Sequence, residues 1–160
     1  MPLVGIVAKK RDIQAIKKEI KSKEIEIIEI TKESIKNIRN IVFEEIIFLQ
    51  NINFKEEEYK YMNEIISKTK YLIINGDIEI DILKNIEIEK PIKLITFGFS
   101  SKSTITISSV KEDKIIVCLQ RDIKKSDGEI LESQEKQIIV KECKKIYNNL
   151  VVFIIKELHN

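Results

Sequence analysis

The stretch LVGIVAKKRDIQAIKKEI (residues 3–20) holds two periodicities back to back. LVGIVA (residues 3–8) is a continuous apolar run of the kind a fully buried strand shows. Ile13, Ile16 and Ile20 then recur at the three- and four-residue spacing of a helix, with Asp12 as its expected cap. A strand that hands over at once to a helix is the opening unit of an α/β fold. At that junction a nucleotide-binding domain carries a glycine-rich phosphate loop; here it reads AKKRD, with no glycine.

The unit repeats along the first hundred residues. EIEIIEI (residues 24–30) predicts a second strand, and Thr31 is expected to open a short helix over KESIKNIRN. VFEEIIFL (residues 42–49) predicts a third strand, although Glu44 and Glu45 argue against a central position for it. NFKEEEYKYMNEIISKTK (residues 53–70) predicts the clearest helix, with Asn53 and Glu56 as a capping box and Tyr59, Met62, Ile65 and Ile66 as its buried stripe. YLIING (residues 71–76) and, after a turn at Pro91, KLITFGF (residues 93–99) predict strands four and five. Strand and helix in alternation imply right-handed crossovers, hence a Rossmann-like, mostly parallel sheet with helices on both faces.

After Gly98 the pattern changes. STITISSV, KIIVCLQRDI and KQIIVKE are strand-like segments with no helix between them, and they predict an antiparallel hairpin subsheet on one edge. KKIYNNLVVFIIKELH closes the chain as a helix with Ile146, Leu150, Phe153, Ile154 and Leu158 on one face. The expectation is one α/β domain over residues 1–160, with a parallel core to residue 99 and antiparallel strands and a final helix beyond it.

Composition narrows the function classes. The 28 basic and 26 acidic residues leave a formal charge of +2 and are interleaved, which cancels the field that nucleic acid or an anionic membrane needs; neither is an expected partner. Arginine occurs only at positions 11, 39 and 121, so bidentate phosphate recognition is poorly supplied. Cys118 and Cys143 lie far apart, and the single histidine, His159, is close to the last residue, so no metal site is expected and His159 is assigned no role. No apolar run is long enough to span a bilayer and no secretory signal pattern precedes residue 20, which points to a cytoplasmic protein with reduced thiols.

The order of elements and four phrases resemble the central domain of the Mur ligases, the ATP-dependent enzymes that add amino acids to peptidoglycan precursors. The phrases are YLIINGDIE (residues 71–79), LITFGF (residues 94–99), STITISSV (residues 103–110) and KIYNNLVVFIIKEL (residues 145–158). The last is similar to a family helix that begins with two asparagines in contact with adenine. That implies a ligand-side role for Asn148, the one of the two retained, with Lys145 at the other position. The family's phosphate loop, which would end Gly-Lys-Thr, is missing from VGIVAKKRDIQ, and its magnesium and carbamate residues have no counterpart. The resemblance therefore implies a degenerate, non-catalytic domain without a bound cofactor, acting on a protein partner or as a homo-oligomer.

Two groups of residues stand as candidate sites. Lys10, Arg11, Asn75 and Asp77 fall where strand ends meet helix starts, the ligand side of such a sheet, and would suit a small anionic metabolite; a solvated basic turn and a tight Asn-Gly-Asp turn are the simpler readings of the same residues. Gln120, Arg121, Gln134 and Glu135 are polar residues in or beside the hairpin strands. They either form a partner surface or a local cross-strand pair of Arg121 with Glu132 or Glu135.

Overall fold

The computed structural model describes residues 1–21, 24–85, 92–140 and 145–160. Pro91 and Cys143, and the turn expected at the former, lie outside the described residues. Five strands and four helices alternate first: β1 (Leu3–Val7), α1 (Lys10–Glu19), β2 (Glu26–Glu29), α2 (Ile35–Ile38), β3 (Glu45–Phe48), α3 (Glu56–Ser67), β4 (Tyr71–Asn75), α4 (Ile82–Asn85) and β5 (Lys93–Phe97). Then come β6 (Ile105–Val110), β7 (Lys114–Leu119), β8 (Ile123–Lys124), β9 (Ile130–Leu131), β10 (Gln134–Ile139) and α5 (Ile146–Leu158).

Eight strands form one sheet in the order β10-β7-β6-β5-β4-β3-β1-β2, and β8 pairs with β9 as a separate antiparallel ribbon. The pairings among β1 to β5 are all parallel, β6 joins β5 in parallel at Phe97 opposite Ile105, and β7 and β10 run antiparallel beyond it. The expected subsheet is thus a continuation of the main sheet. From β2 the order 2-1-3-4-5 reverses direction between β1 and β3, and an open α/β sheet forms its crevice at the carboxyl ends of the strands at such a point.

Helices cover the two faces as the apolar patterns require. Ile13 and Ile16 of α1, Ile20 at its C-terminal cap, and Leu150 to Ile155 of α5 pack with Ile6, Ile47, Ile73 and Phe97 on one face. Ile35 and Ile38 of α2 and Met62, Ile65 and Ile66 of α3 pack with Val7, Ile46, Phe48 and Leu72 on the other. Period-2 alternation along the central strands splits one sheet between two cores. Each Ile or Leu so buried contributes about 1.5–3 kcal/mol of transfer free energy. Gly5, inside β1, has a packing reason: a Cβ there would come 2.6 Å from Ile30 and 3.2 Å from Phe43.

Several local expectations shift. Helix α1 starts at Lys10 with Lys9 as its cap residue, and Asp12, the expected cap, is buried in the first turn. The capping interaction of α3 lies two residues later than expected: the Glu58 carboxylate accepts the Lys55 N–H at 2.6 Å. Thr31 and Ser34 cap each other's N–H groups at 2.9 and 3.0 Å, so α2 begins at Ile35. The largest correction is β3, which sits between β1 and β4 although it begins with Glu45, a residue with no exposed surface. Its carboxylate lies 2.5 Å from Nε2 of His159.

Candidate functional site

The connection from β1 to α1 is two residues long, Ala8 and Lys9, which leaves no room for a backbone cradle around phosphates. What the carboxyl edge holds instead is a cleft of about 550 Å³, within the range of small-molecule sites. Its walls come from the strand ends on both sides of the reversal point. Asp12 follows β1, Leu49 and Gln50 follow β3, Asn75 and Ile78 end and follow β4, Phe99 follows β5, and Lys145 to Asn148 form the first turn of α5.

Asp12 is the buried charge of the cleft, at 5% exposure. Lys145 Nζ donates to its Oδ1 at 2.8 Å and Asn148 Nδ2 donates to the same oxygen at 3.1 Å. Burial by itself would raise the Asp12 carboxyl; the hydrogen bonds from Lys145 and Asn148, with the charges of Lys145 and Arg11, outweigh it and hold the pKa below the ordinary aspartate value. This ties the first turn of α1 to the first turn of α5, across 133 residues of sequence.

Asp77 organises the rim. Its carboxylate accepts the N–H of Phe99 at 2.7 Å, the N–H of Ser100 at 3.2 Å and the phenol of Tyr147 at 2.8 Å. Burial, then the Asp77 carboxylate, pushes the Tyr147 phenol up to about 12. The Tyr147 ring meets Phe97 and Phe99 edge-on, at 6.4 and 6.0 Å between centroids. Gly98 makes this possible: its φ is +143°, and a Cβ would come 2.6 Å from the Asp77 carboxylate. Asn75 is buried, with Oδ1 accepting the Asp77 N–H at 3.0 Å and Nδ2 donating to the Leu49 carbonyl at 3.4 Å, so its amide closes the floor.

Of the sequence-derived ligand residues, Asn75 and Asn148 line the cleft and Asp77 sets its rim through Tyr147. Lys10 and Arg11 are exposed on α1 and outside the lining. Asp12, Lys145 and Tyr147 were not singled out as ligand residues, because each acquires its place through a partner distant in sequence. The hairpin residues make different contacts, although the register sets Gln134 and Glu135 opposite Leu119 and Cys118, next to Gln120. Gln120 Nε2 donates to the carbonyls of Ser101 and Ser103 at 2.9 and 2.6 Å, and Arg121 Nη2 donates to the Lys102 carbonyl at 3.0 Å. Both clamp the loop after β5, and Arg121 donates to the Lys102 carbonyl, in place of the Glu132 or Glu135 pairing that was one of its two readings. Gln134 and Glu135 are exposed on β10, the last strand of the sheet.

Among the described residues, no group of three or more His, Cys, Asp and Glu side chains is placed to hold a metal ion, and no helix is long and apolar enough to cross a membrane. No protein-family model matches the chain, and no curated protein matches it.

Proposed function

We propose that the chain is a non-catalytic binding module, Mur ligase central domain-like in its order of elements but without the phosphate loop, that holds a small, largely apolar molecule in the carboxyl-edge cleft. One observation carries the reading: at the reversal point of the sheet, Leu49, Ile78, Phe99 and Ile146 present apolar surface around a few converging polar groups. The resemblance to the Mur ligases suggests only which edge to inspect; the cleft supports the rest. The small anionic metabolite considered from the sequence fits less well, because Lys10 and Arg11 stay outside and the one lysine in the wall, Lys145, is paired with Asp12.

Binding without chemistry follows from the state of the polar groups. Asp12 is held ionised in a partnered pair and Tyr147 is pushed up to about 12, so both are moved away from the neutral range where a general acid or base works best.

The test is a thermal-shift screen of metabolites against the full chain and its Ile78→Trp variant, which fills the cleft from a partly exposed position. A compound at one hundred times its Kd should stabilise the chain by about 2.7 kcal/mol, a rise of about 5 °C or more, and the variant should lose that rise. Hits that survive the substitution unchanged would overturn the assignment to this cleft.

A second reading, association through β10, is favoured by that strand's place at the end of the sheet among the described residues and by Ile139, which is 65% exposed at its end. Light scattering over a range of concentrations checks it, with Ile139→Lys expected to abolish any dimer.

A further inference from the structure

At the amino edge of the sheet, opposite the cleft, a second buried carboxylate has a different arrangement. Glu45 has no exposed surface, and among the described residues its only close cationic partner is His159, whose Nε2 is 2.5 Å from Oε1. The contact is an ion pair when His159 carries its second proton, and neither Glu45 oxygen has an aligned hydrogen bond among the described residues. Lys21 and Lys156 line the small pocket beside His159, and the charges that act on Glu45 besides His159 do not compensate it. Glu44 is a second carboxylate and adds to the repulsion, while Lys70 Nζ is tied to Glu44 at 3.2 Å. Lys125 is held by the Asn160 main-chain oxygen at 2.5 Å and by Glu129 at 3.6 Å, and its charge opposes that of His159. A single proton therefore separates a paired buried charge from an unpaired one.

That proton has mechanical leverage. His159 is the C-terminal cap residue of α5, where a cation also suits the helix dipole, and its N–H donates to the Ile155 carbonyl at 3.2 Å. The 13 residues of α5 form a rod of about 20 Å whose other end, Lys145 to Asn148, is one wall of the cleft. We infer that the Glu45–His159 pair is a proton-operated fastener: with the proton on His159, α5 is locked to the amino end of β3, and when His159 loses it, the helix loosens and its first turn moves in the cleft wall.

The test is hydrogen exchange across α5 of the full chain between pH 6 and 9, corrected for intrinsic exchange, alongside the His159 imidazole titration followed by NMR. Exchange should accelerate about tenfold in α5, with a midpoint matching the imidazole titration above its ordinary value of 6.5, and Glu45→Gln should flatten the profile because no buried charge remains to be exposed. If Glu45→Gln fails to fold, His159→Gln, which carries no titrating ring, should give the same flat profile. Exchange that ignores pH in the native chain, or that follows pH equally in these variants, would overturn the inference.

Discussion

The two ends of the sheet solve one problem in opposite ways. Each buries a carboxylate next to one end of α5. Asp12, at the carboxyl end, takes two side-chain hydrogen bonds on one oxygen and faces a cleft, and its pKa falls. Glu45, at the amino end, is sealed against a single imidazole, and there burial outweighs the pull of His159, so its pKa rises. The difference teaches that a buried charge by itself does not mark a site. The number of its partners and the open space beside it separate the Asp12 cleft wall from the Glu45 clasp.

The sharpest way to break the comparison is to remove His159. His159→Ala leaves Glu45 buried and alone, and should cost about 3 kcal/mol in urea unfolding at pH 6, with the double variant Glu45→Leu/His159→Leu recovering most of it. A loss below about 1 kcal/mol would show that the amino end is not sealed. At the other end, Gly98→Ala forces a side chain into a left-handed conformation and against Asp77. It should cost about 2 kcal/mol and loosen the Phe99 and Tyr147 rim, read as exchange at the Phe99 and Ser100 amides.

The smallest effect is the most discriminating. Asp12→Asn should cost about 1 kcal/mol, since Lys145 is 52% exposed and its pairing is screened by solvent. Its pH dependence must run opposite to that of the clasp. The folded pKa of Asp12 lies below its ordinary 3.8, so its contribution is present above that value and is lost as pH falls. The folded pKa of His159 lies above 6.5, so its contribution is complete below that value and is lost as pH rises; Glu45, raised above 4.5, moves in the same direction as the other half of a coupled pair. Urea midpoints of the native chain, Asp12→Asn and His159→Gln from pH 3 to 9 would show whether the two slopes have opposite signs.

Much of this architecture is legible in the sequence because it rests on local period. The apolar run before Lys9, the stripe Met62, Ile65 and Ile66, and the heavily apolar final helix each state their element within one turn or pleat. Strand order is not local, and neither are the two carboxylates. Asp12 beside a helix start resembles a cap until α5 brings Lys145 to it, and Glu45 looks unfit for a central strand until His159 arrives from the far end of the same helix. The contacts of the hairpin residues are equally hard to read locally. Gln120 and Arg121 have the composition of an interface, yet their donors serve the carbonyls of residues 101–103. Asn75 stands at a strand end, a position that can be read locally, whereas Asn148 entered only through the resemblance to the Mur ligases; both line the cleft.

The central claim is that the carboxyl-edge cleft, and not the hairpin, is where the chain meets its ligand. Backbone chemical-shift mapping with the strongest compound from the thermal screen tests it most directly. The account predicts perturbations centred on Leu49, Gln50, Asn75, Ile78, Phe99 and the Lys145 to Asn148 turn. Perturbations centred on β10, or carboxyl-edge resonances that stay fixed at saturating compound, would contradict it.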